Sequence, residues 1–415
     1  MLDRTIQAAE DPARWRLLAI VAVGTLLAMA PWFSASAVAP LLATDWNLDR
    51  LGLPTLAIAV QLGFAAGAFT LALTAAADVL PARILFAAGA FLAAIANIGF
   101  AFLARDAVSA LPFRVLTGLA LAGVYPIGLK LLAGWFRRER GLAIGVLVGA
   151  LTVGSALPYL LRAVGASQGL DWHATVAATS VVGILGGLLV LSGASNGPWD
   201  VPAPRFSFEV AKSAFGEAAV RLANLGYLGH MWELYAMWTW VPLFLAASFF
   251  AAGTDSPTTA SLAAFAIVGS GGVGCVVAGI IADRLGRTAV TIIAMAFSGS
   301  SAIAVGLLFG AAPILTFAVG VIWGVTVVAD SAQFSTAVSE LAPPGTAGSA
   351  LAIQTALGFL LTGVTILAVG MLGPGDGSGW RIAFGMLALG PLVGIIAMSR
   401  LRRRPEAVRM ANGHR

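Results

Sequence analysis

Apolar residues along this chain of 415 fall into twelve long runs separated by short polar breaks. The runs cover roughly 17–43, 52–77, 84–104, 108–135, 141–163, 173–193, 218–250, 258–282, 288–310, 313–340, 347–372 and 382–400. A helix that crosses the hydrocarbon core of a bilayer needs about 20 apolar residues, and each run meets or approaches that length. None has the alternating segments of about ten residues that mark a barrel strand. The pattern predicts an all-α membrane protein with twelve transmembrane helices. The first run contains Ala35-Ser36-Ala37, a triplet like a signal-peptidase site. The run continues past it, and cleavage there would leave eleven spans, so the run reads as a span.

Composition agrees. Hydrophobic residues make up 59% and charged residues 10%, against about 25% charged in soluble domains. An ordinary soluble enzyme, a disordered chain and a nucleic-acid-binding module are all excluded. The 49 glycines have no period, and in helical spans they suit close helix packing. The single cysteine, Cys275, rules out a disulfide framework and a cysteine-based metal site. No cofactor or metal is expected; the expected partners are a small-molecule substrate, protons and the lipid bilayer.

The net charge of +5 is distributed by topology. With the N-terminus placed in the cytoplasm, 18 of the 24 Lys and Arg residues fall in cytoplasmic segments and four in outside loops. That bias follows the positive-inside rule. An even number of spans puts both termini in the cytoplasm, and the expected location is a bacterial inner membrane.

The longest polar stretch between spans, 194–217, divides the chain into 1–193 and 218–415, each with six spans. Asp78 and Asp283 each follow the second span of their half and lie 205 residues apart. Two six-helix units repeated in parallel are one known transporter plan.

The repeated loops carry recognisable residues. Gly279-Ile280-Ile281-Ala282-Asp283-Arg284-Leu285-Gly286-Arg287 resembles the signature loop of the major facilitator superfamily. The first-half copy keeps Asp78 and Arg83, but Thr74, Val79 and Pro81 replace expected residues. Arg114 with Gly118 and Gly123 is similar to the family's fourth-helix pattern. Trp135-Phe136 followed by Arg140-Gly141, Ala143 and Gly145 is a third match. The resemblance covers the whole chain and implies two rocking bundles around a midplane site. It also implies a cytoplasmic gate at Asp78, Arg83, Asp283, Arg284 and Arg287. An aspartate at a helix end can take hydrogen bonds from opposing helix N-termini, contacts that hold a gate shut.

Ionisable residues inside spans are costly and are functional candidates by default. Five lie away from the ends of their runs: Arg114, Lys130, His230, Glu233 and Asp330. His230 and Glu233, at i and i+3, share a face of span seven within a stripe that includes Gly226, Met237 and Trp240. Trp232, Tyr235 and Trp238 flank it. One His and one Glu fall short of a zinc site; the pair reads instead as a proton carrier or a substrate contact. Arg114, with Tyr125 on the same span, suits an anionic solute, or pairs with Glu233. Lys130, sixteen residues on, points nearly opposite and lies near the cytoplasmic end, where it can snorkel. Asp330 is a third proton-coupling candidate, or a partner for Lys130 or a loop arginine. Trp32 completes the candidate solute contacts; Gln61 and Gln354 are weaker polar ones.

The function expected is secondary active transport of a small organic anion or metabolite by alternating access, with proton symport. One alternative is an exporter of hydrophobic or amphipathic compounds. The family's antiporter Gly-Pro motif is absent from span five, which leans away from proton-driven drug antiport. Spans two and eight lack the arginines of the family's nitrate porters. A non-transporting receptor or assembly factor on the same fold is the alternative of another class. No catalytic constellation of a membrane enzyme is present.

Overall fold

The computed structural model describes residues 11–49, 51–137, 139–200, 206–373, 375 and 377–414. Arg4, Arg50, Arg138, Arg205 and Arg415, counted above among the loop charges, lie outside these residues, as does the side chain of Asp78. The described chain is helical, and eleven of its helices are long and apolar enough to cross a membrane. They are Gly52–Thr74, Ala82–Leu103, Ala107–Trp135, Arg140–Ser167, Trp172–Gly193, Ala218–Ala251, Pro257–Leu285, Arg287–Leu307, Pro313–Leu341, Ala347–Leu372 and Gly377–Arg402. These are spans two to twelve.

Span one differs from the continuous helix expected over 17–43. It runs as three pieces, Ala13–Ala28, Ser34–Ala37 and Ala39–Asp45. The break at 29–33 contains Pro31, which has no N–H to give and disfavours helical backbone in the residue before it. Span four also breaks, between Leu121 and Tyr125, just before Pro126. Span ten breaks at Asp330.

The packing of helices repeats between halves. Spans one and five, two and four, three and six, and one and six pack together in the first half. Their counterparts, seven and eleven, eight and ten, nine and twelve, and seven and twelve, pack in the second. Between halves, span five lies along span eight, and span two along span eleven. This is the twelve-helix fold of two parallel repeats.

Small residues set the five–eight seam. Gly149 and Gly272 face each other so closely that a methyl group on Gly149 would stand 2.9 Å from the Gly272 carbonyl oxygen. Helices meet this closely only where neither carries a side chain. In 194–217, helix Phe208–Gly216 packs on span eleven, and Ser207 donates its N–H to Ser349 Oγ at 3.2 Å. Both described ends lie on one face. Arg14 pairs with Glu139 at 2.8 Å, and the N–H of Ala411 reaches Glu340 Oε2 at 3.2 Å. We call this the basic face.

Candidate functional site

Between the halves lies a cavity of about 800 Å³. Its mouth is on the basic face, among Arg137, Glu139, Arg140, Asp283, Arg287 and Glu340. Its deep end is aromatic, formed by Phe64 of span two, Tyr125 of span four, Tyr227, Tyr235 and Trp238 of span seven, and Phe359 of span eleven. Behind this end the halves close on each other. Trp32 stacks on Tyr235 with centroids 5.8 Å apart, Phe33 meets Trp238 edge-on at 5.8 Å, and Phe64 lies 4.6 Å from Phe359. Tyr159 of span five donates to the Trp238 carbonyl at 2.8 Å. Farther toward the opposite face, spans one, two and seven leave a gap of about 10 Å³ between Ser36, Leu53 and Trp240, hardly room for one water. The cavity therefore faces one side of the molecule.

Of the expected solute contacts, Tyr125 lines this cavity and Arg114, His230, Glu233, Met237, Trp240 and Trp32 are not among its wall residues. Arg114 is 1% exposed and turns into the first half. It donates to the Trp32 carbonyl at 2.7 Å, the Pro31 carbonyl at 3.4 Å, Ser34 Oγ at 3.1 Å and Asn97 Oδ1 at 3.0 Å. Its guanidinium also lies 5.1 Å from the Phe100 ring centroid. The two carbonyls belong to the break in span one; that of Pro31 also accepts from Ser34 Oγ at 3.0 Å. The suggested Arg114–Glu233 pair does not form.

Glu233 is buried in the second half, where it accepts from Ser298 Oγ at 2.8 Å and Trp323 Nε1 at 2.7 Å. His230, one turn before it, has Nδ1 2.9 Å from Asp330 Oδ1, both side chains almost wholly enclosed. Asp330 thus faces His230 rather than Lys130 or a loop arginine. The contact is close but not an aligned hydrogen bond, and His230 Nε2 and Asp330 Oδ1 find no such bond among the described residues. Tyr227 and Phe334 pack on the imidazole. The three ionisable groups form one cluster across spans seven and ten. Asp330 sits at the break that begins helix Ser331–Leu341, and Ser331, Ser335, Thr336 and Ser339 of that helix wall the cavity. Met237 is fully buried, and Trp240 donates to the Ile366 carbonyl at 3.1 Å. Lys130 lines the cavity.

The second-half signature loop is well ordered by its own chemistry. Gly286 has φ +90° and ψ 150°, a conformation essentially restricted to glycine. That turn brings Arg287 back to Asp283 at 3.0 Å, to Gln333 at 2.9 Å and to Glu340 at 3.0 Å. The Asp283 carboxylate lies against the start of span five, where a methyl group on Gly141 would stand 3.2 Å from its Oδ2. Arg284 is exposed in the last turn of span eight, and Arg83 is exposed at the start of span three.

Phe64, Tyr227 and Phe359 were not singled out by the sequence. Phe64 sits three residues from Gln61 on the same helix face, where Gln61 carries the polar signal and a lone Phe among apolar residues carries none.

Residues 21–366 match the family model of the Major Facilitator Superfamily. The chain is 27% identical over 215 residues to the MFS-type transporter pytF of Aspergillus terreus, covering 51% of this chain and 69% of that protein. Among solved structures it resembles a D-xylose-proton symporter, with TM-score 0.73, 17% identity and coverage of 95% and 98% of the two chains. A bacterial homologue of the human lysosomal transporter Spinster, in an inward-facing conformation, gives 0.70, 14%, 94% and 96%. The nucleoside transporter NupG gives 0.71, 16%, 93% and 99%. At these identities the likeness to solved structures concerns the fold.

Proposed function

The chain belongs to the major facilitator superfamily and is a transporter, not an enzyme, and on that premise we propose that it moves a small organic solute by proton-coupled alternating access. The observation that carries this reading is the cavity of about 800 Å³, open on the basic face and sealed by aromatic contacts behind its deep end. The positive-inside rule favours a cytoplasmic basic face, which supports reading this state as inward-facing; a bacterial inner membrane is the location we assign. Segment 194–217 joins the two moving bundles, 1–193 and 218–415. Asp283, Arg284 and Arg287, with Asp78 and Arg83 in the first half, serve the cytoplasmic gate.

Coupling is assigned to His230, Glu233 and Asp330. Buried charges are tolerated only when paired, so adding or removing a proton here changes which contacts hold. The groups facing the cluster are Tyr227 on its own helix, Ser298 and Trp323 on spans nine and ten, and Cys275 of span eight, which lies 3.6 Å from the Val328 carbonyl. Asp330 is the hinge residue of a helix that walls the cavity. Protonating it releases His230 and frees that helix to reorient, which links a proton to the shape of the site. Uptake by symport is the direction we assign. The aromatic wall favours a second reading, export of an amphipathic compound, which differs in the direction of flux.

The test uses Ser335→Cys in a Cys275→Ala background, with a membrane-impermeant maleimide applied to right-side-out and everted vesicles at pH 6 and pH 8. Labelling from the basic face, with a several-fold dependence on pH that Asp330→Asn abolishes, is expected. Equal rates at both pH values in parent and Asp330→Asn alike would remove the coupling assignment. Labelling only from the opposite side would overturn the orientation.

A further inference from the structure

The distribution of charge along the cavity wall speaks to the solute itself. Every ionisable residue at the mouth belongs to a loop or helix end on the basic face. Lys130, the innermost, is five residues from Tyr125 on the same helix piece, about 7–8 Å toward the mouth at 1.5 Å per residue. Beyond it the wall residues are Phe64, Tyr125, Tyr227, Met231, Leu234, Tyr235, Trp238 and Phe359, none of them charged. The ionisable groups that the spans do bury are turned inward: Arg114 into the first half, and His230, Glu233 and Asp330 into the second. An ion placed at the deep end would lose its hydration and meet no counter-charge, which is among the costliest arrangements a protein interior offers.

The same end is built for rings. Phe359 lies 4.6 Å from Phe64 and 5.2 Å from Tyr235, and Tyr235 lies 5.3 Å from Trp238. These rings already touch one another, so they present a preformed aromatic surface on which a further ring can stack. The end also holds unused hydrogen-bonding capacity. Trp238 is fully buried, yet its Nε1–H has no partner among the described residues. Nor do the phenol oxygens of Tyr125, Tyr227 and Tyr235 have protein partners there, whereas Tyr159, outside the wall, is bonded. Trp238 Nε1 is sealed from the cavity, so the donors within a solute's reach are the phenol hydroxyls of Tyr125, Tyr227 and Tyr235, which a solute carrying acceptors would engage.

We propose that the deep end of the cavity takes an uncharged aromatic solute that carries hydrogen-bond acceptors, stacked against the ring cluster of Phe64, Tyr235 and Phe359. The assignment rests on the transport reading and narrows its substrate to a class that an arginine-bound anion does not fit. Lys130 and the other charges at the mouth lie outside the pocket that holds the ring.

The experiment is equilibrium binding to the full-length protein in lipid nanodiscs, followed by tryptophan fluorescence. The probes are 2-naphthamide, 2-naphthoate, 2-naphthylmethylamine and D-xylose, at pH 7.5. We expect saturable binding of the amide, at least tenfold tighter than the carboxylate, the ammonium or the sugar. Phe359→Ala should weaken it tenfold or more. Tyr235→Phe, which keeps the ring and removes the hydroxyl, should weaken it a few-fold. Tighter binding of either ion or of the sugar overturns the proposal, as does absence of amide binding. Folding of each variant is checked by its elution as a monodisperse peak and by its melting temperature. If amide binding fails while Ser335→Cys still changes accessibility with pH, only the solute class is wrong. If binding holds while accessibility never changes, the transport reading fails instead.

Discussion

The guanidinium of Arg114 donates to the backbone carbonyl of Trp32 at 2.7 Å, fixing the break in span one from a neighbouring helix. A membrane interior offers no water to satisfy carbonyls that a broken helix releases. Arg114 replaces that water with donors to Pro31 and Trp32 and reaches Ser34 and Asn97 in the same fan. Asn97 passes the network on to the Val176 carbonyl, Thr179 and Ser180 of span six. The charge is therefore part of the architecture of the first half.

Replacing it should cost stability. Arg114→Ala leaves the buried Trp32 carbonyl without a donor and reduces Pro31 and Asn97 to what Ser34 donates, and we expect a loss on the order of 3 kcal/mol. Thermal unfolding of the variant in nanodiscs measures it. Under the uncharged-solute assignment, the preference for amide over carboxylate should be the same in Arg114→Lys as in the parent, because the residue does not touch the solute.

The signature turn makes a second, local demand. Gly286 holds φ +90°, and a side chain there is strained by about 1–3 kcal/mol. Gly286→Ala should therefore lower the melting temperature and loosen the hold of Arg287 on Gln333 and Glu340. Proteolytic sensitivity of the loop between spans eight and nine should rise with it. A variant as stable and as protease-resistant as the parent would contradict the role given to this glycine.

Asp106 caps the start of span four on the face opposite the mouth, accepting from the Ser109 N–H at 2.7 Å and from its hydroxyl at 2.8 Å. The Ser109 N–H, and after it the hydroxyl, hold the Asp106 carboxyl below its ordinary value of 3.8. A group depressed in the folded state contributes fully above its unfolded value and loses that contribution as pH falls through the folded one. Asp106→Ala should lower the melting temperature at pH 6. The difference between variant and parent should shrink as the pH is taken below 3.8. A difference that stays constant down to pH 3 would show that the cap does not depend on the carboxylate.

Much of the fold was legible in the sequence. Run length gave the spans, and Asp78 and Asp283 marked the repeat that the helix packing displays. The broken first span was not read from hydrophobicity, because an apolar run stays apolar through Pro31 whether or not the helix does. The site was harder for a related reason. Position on a helix gives a face, not a neighbour. His230 and Glu233 share a face, yet His230 meets Asp330 while Glu233 meets Ser298 and Trp323. Arg114 looked like a solute contact because the carbonyls it serves exist only once span one breaks. The aromatic wall was half visible: Tyr235 and Trp238 flanked the stripe on span seven, but Phe64 and Phe359 come from spans brought together only by the closing of the two halves.

Alternating access is tested most directly by two spin-label distances in lipid nanodiscs. One pair, Arg83→Cys with Ser339→Cys, spans the mouth on the basic face. The other, Thr44→Cys with Asp255→Cys, spans the closed face. Both pairs are made in a Cys275→Ala background, at pH 6 and pH 8. We expect two distance populations for each pair that shift in opposite senses, the mouth closing as the far side opens. A single population for both pairs at both pH values, unchanged by saturating 2-naphthamide, would contradict alternating access by this chain.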